Sequence, residues 1–249
     1  MLAAERQARI LELVKIQGSV AVETLAQQLN VSPMTIRRDL MKLQSDNQLE
    51  RCHGGAVAKM EENYIEKSFS HKEEKIQLAM ACKPLVSTGD TVYLDAGTTT
   101  YEIAKVICTI PDIMVVTNDL EIALMLNKTD VELFLCGGAV QKSTGSMSGY
   151  YATEMLQNFH FDIGFFGAAN INEEFEVMTP TIEKAFLKRL AVNRCQKSYL
   201  VVDQSKFYRQ GVAKINQLND YTAIITNYVF TPPQKEKLKQ MQIHIQPIK

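Results

Sequence analysis

Apolar residues recur at helical spacing three times within the first fifty positions of the chain. The three stripes are Ile10, Leu13 and Val14; Leu25, Ala26 and Leu29; and Ile36, Leu40 and Leu43. Ser32 is a good N-cap for the third segment, and Pro33 suits its first helical position, where a missing N–H does no harm. Leu49–His53 and Ala56–Ala58 then flank Gly54-Gly55, which suits a two-residue hairpin turn. Three helices followed by a hairpin predict a winged helix-turn-helix domain over residues 1–58.

After a charged stretch, the pattern changes to short apolar runs that alternate with amphipathic segments. The predicted strands are Thr91–Leu94, Ile113–Val116, Val131–Leu135, Ile163–Phe166, Tyr199–Val202, Ala223–Ile225 and Ile243–Ile245. The predicted helices between them are Thr99–Ile107, Leu120–Leu126, Thr153–Phe159, Ile182–Arg194 and Pro233–Gln240. This alternation predicts an α/β domain with a mostly parallel sheet over residues 76–249. Residues 59–75 are highly charged and contain neither glycine nor proline, so we interpret them as a linker, partly helical.

Polar and basic side chains lie on the third helix, away from its apolar stripe. In a winged helix-turn-helix this helix enters the major groove and the wing contacts the DNA backbone. The candidate DNA contacts are Ser32, Met34, Thr35, Arg37, Arg38, Lys42, Arg51 and His53. The alternative is that the basic residues form an ordinary solvated helix face. The turn chemistry and the predicted wing favour binding of double-stranded DNA.

Composition and charge add little to this division. The net charge of −1 separates into +2 for residues 1–60 and −3 for the remainder, an asymmetry too weak to establish DNA binding alone. The content of 46% hydrophobic and 22% charged residues is that of a globular protein, and no apolar run is long enough to cross a bilayer. The five cysteines are scattered, without CxxC or zinc-ligand spacing. We therefore expect a cytoplasmic protein without membrane contact, metal or cofactor.

Five polar turns follow predicted strands of the second domain. They contain Asp95 to Thr100, Thr117 to Asp119, Gly137-Gly138, Gly167 to Asn170 and Asp203 to Lys206. The carboxyl ends of parallel strands meet at one edge of a sheet, where small molecules bind. The first turn also leads into a helix, and the N–H groups at a helix N-terminus bind phosphate. The sequence thus predicts a pocket for a phosphorylated small molecule.

The candidate ligand contacts divide by chemistry. Gly97 permits close backbone approach, and the three threonines after it offer hydroxyls and amides to phosphate oxygens. Lys188 or Lys206 supplies a countercharge, although Lys188 is equally compatible with an exposed helix lysine. Asp95 and Asp203 can accept hydrogen bonds from sugar hydroxyls, although Asp203 also suits a helix or turn cap. The full set is Asp95, Gly97, Thr98, Thr99, Thr100, Asn118, Gly138, Lys188, Asp203 and Lys206.

Both halves of the chain resemble one family. The stretch VSPMTIRRDLMKLQSDNQLERCHGGA, residues 31–56, is similar to the signature of DeoR family bacterial transcriptional regulators. The stretches DAGTTT, TND, CGG, GSMSG, GAANI, TIEKAFLKR and DQSKF resemble the family's effector domain, whose fold is similar to ribose-5-phosphate isomerase and glucosamine-6-phosphate deaminase. The resemblance implies a phosphorylated sugar ligand, contacted chiefly by Gly97 to Thr100, Lys188 and Lys206. Lys184 departs from the family pattern, in which an acidic residue is common at that position.

The two domains together predict a regulator whose operator affinity changes with a phosphorylated sugar. We expect a repressor of a sugar catabolic operon, acting as a homodimer or homotetramer, because two-fold assembly matches a symmetric operator. The main alternative is a sugar-phosphate isomerase or deaminase tethered to DNA. Asp95, Asp119, Glu183 and Asp203 are carboxylates available for proton transfer, but no established catalytic spacing occurs, so we expect no enzyme. A protein-interaction adaptor with an unused pocket is the third hypothesis.

Overall fold

The computed structural model describes residues 2–17, 19–45, 49–52, 54–58, 63–209 and 211–248 and divides the chain into two compact units, Met1–Glu62 and Asn63–Lys249. Its helices are α1 (Ala3–Gln17), α2 (Val22–Leu29), α3 (Pro33–Ser45), α4 (Tyr64–Phe69), α5 (Lys72–Cys82), α6 (Thr98–Ile107), α7 (Leu120–Leu126), α8 (Tyr150–Gln157), α9 (Ile182–Asn193) and α10 (Pro232–Gln240). Its strands are β1 (Ser19–Ala21), β2 (Leu49–Cys52), β3 (Gly55–Ala58), β4 (Thr91–Leu94), β5 (Met114–Thr117), β6 (Glu132–Leu135), β7 (Ala139–Gln141), β8 (Ser146–Ser148), β9 (Phe161–Phe166), β10 (Asn170–Ile171), β11 (Glu176–Thr179), β12 (Cys195–Val201), β13 (Ala213–Gln217), β14 (Ala223–Ile225) and β15 (Ile245–Gln246).

The first unit is a winged helix-turn-helix. Helices α1 to α3 enclose a small core that includes Ile10, Leu25 and Leu40, and the antiparallel strands β1, β3 and β2 form the wing sheet. Strand β1 was not predicted, because three residues are too few to show an alternating pattern. A Cβ on Gly55 would lie 2.4 Å from the backbone oxygen of Val20, so only glycine permits this approach of β3 to β1.

The second unit is built on a parallel seven-stranded sheet in the order β15-β14-β12-β9-β4-β5-β6. Successive strand residues pack into opposite cores: Val92 and Leu94 lie on the face covered by α5, α6 and α7, whereas Tyr93 and Phe166 lie on the face covered by α8, α9 and α10. Helices on both faces explain why the central parts of the strands are apolar. The predicted mostly parallel α/β architecture is confirmed.

Two small sheets of the second unit were not predicted. Strands β7 and β8 form an antiparallel hairpin, and β10, β11 and β13 form a three-stranded antiparallel sheet. Their strands are short and carry polar residues such as Gln141, Lys214 and Asn216, so neither alternation nor an apolar run identifies them. The segment after Gly137-Gly138 is therefore a hairpin, whose strand β8 contacts the turn after β5 through the Ser146–Asp119 bridge.

The described part of the predicted linker is folded onto the second unit. Helix α4 and the start of α5 occupy residues 64–75, and the Tyr64 backbone N–H donates to the Ser143 carbonyl at 2.9 Å. Lys75 is buried, and its ammonium donates to the carbonyls of Lys67 and Ser70, which fixes the corner between the two helices. The polar composition that indicated a connector thus belongs to α4, which is held by backbone and ammonium hydrogen bonds, and to the start of α5, whose later residues Leu78, Ala79 and Cys82 join the apolar core. In the described ranges, no helix is both long and apolar enough to span a membrane.

Candidate functional site

The local sequence of α3 determines which of its side chains face solvent. The Ser32 hydroxyl accepts the Thr35 N–H at 3.2 Å and lies 2.9 Å from the Thr35 hydroxyl, so it caps the helix as predicted. Ile36 and Leu40 are fully buried beneath the helix. The beginning of α3 is therefore fixed against the core of the first unit, and the side of the helix opposite this core is exposed to solvent.

Most of the predicted DNA contacts lie on the exposed surface of α3. Met34 is 63% exposed, and Arg37, Arg38 and Lys42 are also exposed, whereas Thr35 is half-buried. The Arg37 guanidinium lies 3.9 Å from the Glu23 carboxylate, a solvated pair too weak to hold the arginine away from a phosphate. The side chain of Arg51 and the whole of His53 lie outside the described residues.

Sequence reasoning missed Asp39, the buried acidic residue of α3. Its carboxylate accepts from Arg6 Nε at 2.5 Å, from Arg6 Nη2 at 3.2 Å and from Gln7 Nε2 at 3.1 Å. Asp39 is only 4% exposed, so this charge-assisted pair joins α3 to α1 inside the unit. Its position between Ile36 and Leu40, beside the apolar stripe of the helix, was the available signal.

In the second unit, the turn after β4 is held by a carboxylate from the neighbouring strand end. Asp119 Oδ2 accepts the Gly97 N–H at 3.0 Å, and its Oδ1 accepts the N–H groups of Glu121 at 2.8 Å and Ile122 at 3.0 Å. Burial raises the pKa of Asp119 to about 7, against the opposing effect of these hydrogen bonds. Asp119 thus both caps α7 and fixes the start of the Gly97 to Thr100 turn.

Lys188 lies inside the site and is paired with Asp95. The Asp95 carboxylate is fully buried, and its Oδ2 accepts from the Lys188 ammonium and from the Gly167 N–H at 3.0 Å. The same ammonium donates to the Gly167 carbonyl at 3.2 Å, and the Lys188 side chain is 12% exposed. The alternative of an exposed helix lysine is therefore wrong. Lys188 joins α9 to the carboxyl ends of β4 and β9.

Asp203, just after β12, hydrogen-bonds to the described residues through only one of its carboxylate oxygens. Oδ1 accepts the Ser205 N–H at 2.8 Å, which makes Asp203 the cap of the short 3-10 turn Gln204–Lys206. The capping interpretation therefore holds for one oxygen, while Oδ2 is buried without a hydrogen-bond partner among the described residues. Lys206 is half-buried on the same turn, one residue beyond Ser205.

Three other candidates have scaffolding contacts. Asn118 accepts from the Tyr93 hydroxyl at 3.1 Å and donates to the Met147 carbonyl at 2.9 Å, so both ends of its amide are used. The Thr100 hydroxyl donates to the Gly97 carbonyl at 2.8 Å. A Cβ on Gly138 would lie 2.4 Å from the Ser148 carbonyl oxygen, which explains a glycine at the base of the β7–β8 hairpin. Thr98 and Thr99 begin α6 and are nearly buried.

Lys184, the departure from the family pattern, lies one helical turn before Lys188. It is 8% exposed, and its ammonium donates to the Thr144 hydroxyl at 3.4 Å. The Thr144 hydroxyl lies 2.9 Å from the Ser146 hydroxyl, and the backbone of Ser146 pairs with that of Asp119 in an isolated β-bridge. The altered charge at this position therefore lies beside the site and not on the surface.

The structure also reveals which polar atoms of the site have no internal partner. Among the described residues, the buried side-chain oxygens without a hydrogen-bond partner are Asp95 Oδ1, Asp203 Oδ2 and the Tyr64 hydroxyl. Burial raises the pKa of Tyr64 well above its usual value. The Tyr64 ring packs against Tyr101, whose N–H donates to the Gly97 carbonyl, so Tyr64 lies beside the Gly97 turn. Tyr64 was missed because its segment was interpreted as a linker. Asp95 and Asp203 follow β4 and β12, which both pair with β9, so their unpartnered oxygens lie along one edge of the sheet, where a ligand can donate hydrogen bonds to them.

Comparison with known proteins confirms the resemblance for both units. Residues 6–62 match the family model described as DeoR-like helix-turn-helix domain, and residues 70–228 match the DeoR C terminal sensor domain. The chain is 33% identical to the HTH-type transcriptional regulator GlpR of Haloferax volcanii, covering 98% of both chains, and 29% identical to the glycerol-3-phosphate regulon repressor of Escherichia coli, covering 98% of this chain and 97% of that one. It is 33% identical to the lactose phosphotransferase system repressor of Streptococcus mutans, over 90% and 91% of the two chains.

Solved structures give a weaker likeness. A ribose 5-phosphate isomerase A from Methanocaldococcus jannaschii is 14% identical, covers 55% of each chain and has a TM-score of 0.42, too low to support an argument. The two family matches and the full-length relatives do not depend on it. The chain has a winged helix-turn-helix unit, an α/β unit with a strand-end site, and the matches given above. It therefore belongs to the DeoR family of DNA-binding transcriptional regulators.

Proposed function

We propose that the α/β unit binds a phosphorylated sugar at the carboxyl ends of β4, β5, β9 and β12, and that this binding changes operator affinity. The observation that carries the proposal is the pair of buried acceptors, Asp95 Oδ1 and Asp203 Oδ2, that have no partner among the described residues. Leaving a buried carboxylate oxygen without a donor is costly, and the hydroxyls of a sugar are suitable donors.

The anionic part of such a ligand fits the start of α6. Thr98 and Thr99 bring backbone N–H groups and hydroxyls to a helix N-terminus, where phosphate is favoured. Lys188, which pairs with Asp95, and Lys206, on the turn capped by Asp203, supply positive charge for the phosphate in this proposal. Two relatives are named for glycerol-3-phosphate and for a lactose phosphotransferase system, which agrees with a phosphorylated carbohydrate as the class of ligand.

On the DNA side, we infer a repressor that reads its operator with α3 and assembles as a homodimer or homotetramer in the cytoplasm. Each first unit presents one short recognition helix, and two copies would match a symmetric operator. The curated relatives reported above are named as regulators or repressors, which favours sensing over turnover of the ligand. The tethered-enzyme alternative would require product formation from the bound sugar phosphate.

The ligand proposal is tested with a panel of probes: inorganic phosphate, glycerol 3-phosphate, ribose 5-phosphate, fructose 1-phosphate and fructose 6-phosphate. We expect at least one sugar phosphate to raise the melting temperature of the full chain and to change operator affinity measured by fluorescence anisotropy. A ligand present at 100 times its Kd stabilises the folded state by about 2.7 kcal/mol. The probes are recovered afterwards by chromatography. Unchanged probe together with an affinity change supports a sensor, and the absence of any effect contradicts the proposal.

The recognition helix makes a separate prediction. We expect Arg38→Ala to weaken operator binding by about 1–3 kcal/mol if its guanidinium contacts bases, because each bidentate base contact is worth about that much. Arg9→Ala is the matched control, since this exposed arginine lies on α1 and pairs only with Glu12 among its described contacts. Equal operator affinity of the two variants, measured by anisotropy at one fixed salt concentration, would remove Arg38 from the interface.

A further inference from the structure

Tyr64 connects the strand-end site to the beginning of the second unit. It is the second residue of the compact unit that starts at Asn63, directly after the end of the DNA-binding unit at residue 62. Its N–H donates to Ser143 in the loop of the β7–β8 hairpin, and its ring packs edge-on against Tyr101, with centroids 6.4 Å apart. Its hydroxyl is buried without a hydrogen-bond partner in the described part of the chain.

The helix that follows Tyr64 has little apolar packing of its own. No residue of α4 is fully buried, and its two large apolar side chains are turned outward: Ile65 is 63% exposed and Phe69 is 74% exposed. Helix α4 contacts α6, and the Lys75 ammonium donates to the carbonyls of Lys67 and Ser70 at its C-terminal end. An element with few buried apolar contacts has low local stability and responds to a single added bond.

The phenol is not explained by packing alone. Phenylalanine would make the same edge-on contact with Tyr101 and would avoid the cost of a buried hydroxyl without a partner. The two other unpartnered oxygens, on Asp95 and Asp203, belong to the proposed ligand site. Tyr101, which Tyr64 contacts, donates its N–H to the Gly97 carbonyl, so Tyr64 lies beside the turn proposed to bind the phosphate.

We infer that the Tyr64 hydroxyl hydrogen-bonds to the phosphorylated sugar and that this bond transmits ligand occupancy to α4 and so to the chain leading to the DNA-binding unit. The inference rests on the proposed function of the same site. Because the ligand then binds better when α4 is ordered, binding shifts α4 toward its ordered state. By linkage, the same bond contributes to the change in operator affinity.

The test is Tyr64→Phe in the full chain, with the most effective sugar phosphate of the panel as probe. The factor by which a saturating probe changes operator Kd is expected to fall at least about fivefold from its wild-type value, the lower end of typical coupling. Operator Kd without probe is expected to stay within twofold of wild type. The melting temperature without probe is expected to be equal or higher, since the variant removes an unsatisfied group.

Tyr151→Phe is the matched control, because its ring is 75% exposed on α8, and it is expected to respond like the wild type. If Tyr64→Phe keeps the full wild-type response, or melts lower without probe, the role assigned to the hydroxyl is overturned while the ligand site stands. If the wild-type chain itself responds to no sugar phosphate, the proposed function is overturned and this inference with it.

Discussion

Replacing Lys188 with methionine is expected to lower the free energy of unfolding of the α/β unit by about 3–5 kcal/mol, the usual effect of removing one partner of a buried ion pair. Asp95 is fully buried, so its charge would lose its ammonium partner without gaining water. In a unit of this size, 1 kcal/mol shifts the melting temperature by about 2–4 °C, which gives a decrease on the order of 10 °C. Differential scanning calorimetry of the full chain measures it.

Lys105→Met is the matched control for this variant. Lys105 also pairs with a carboxylate, that of Glu102, but its side chain is 45% exposed, so its loss is expected to cost at most about 0.5 kcal/mol. Combining Lys188→Met with Asp95→Asn should recover part of the stability, because the uncompensated charge is then absent. Equal melting of the two lysine variants would show that the Asp95–Lys188 pair does not stabilise the sheet edge.

The second large effect is expected in the DNA-binding unit. Asp39→Ala should destabilise this unit by about 3 kcal/mol, because the Arg6 guanidinium, only 12% exposed, loses its carboxylate partner. A unit of about sixty residues has little stability in reserve. Operator binding should therefore be lost well below the temperature at which the α/β unit melts, as anisotropy and calorimetry followed over the same temperature range would show.

Glu12→Ala serves as the comparison for Asp39→Ala. Glu12 forms an ion pair with Arg9 on the same helix as Arg6, but both side chains are more than half exposed. We expect its loss to change the stability of the unit by at most about 0.5 kcal/mol and to leave operator binding intact. If Asp39→Ala binds operator over the same temperature range as Glu12→Ala, the buried pair is not what joins α3 to α1.

The sequence alone was sufficient to predict those elements whose position is determined by one physical rule. Apolar periodicity located the three helices of the first unit, and alternating apolar runs located the strands of the parallel sheet. Turn residues such as Gly97 and Asp203 marked the ends of the strands. Ligand sites of parallel sheets lie at these ends. Each of these rules depends only on residues that are close together along the chain, so it can be applied to a single sequence.

The sequence was insufficient where a role depends on residues distant along the chain. Lys188 meets Asp95 across 93 positions, and Tyr64 meets the hairpin loop at Ser143, so neither contact follows from spacing. Asp39 lies beside the apolar stripe of α3, but its partner Arg6 is 33 positions away, so their ion pair does not follow from spacing. The polar stretch around Tyr64 resembled a linker because α4 has no buried apolar stripe, and the buried apolar residues of α5 begin only at Leu78.

The pairing of β4 with β9 has a consequence for biosynthesis. Val92 lies beside Ile163, so the centre of the sheet joins strands roughly 70 residues apart, whereas the first unit closes within its own sixty residues. Contacts of long sequence separation form slowly, and domains generally fold in order as they leave the ribosome. In a nascent chain, the DNA-binding unit would therefore fold while the central strands of the larger unit are still incomplete.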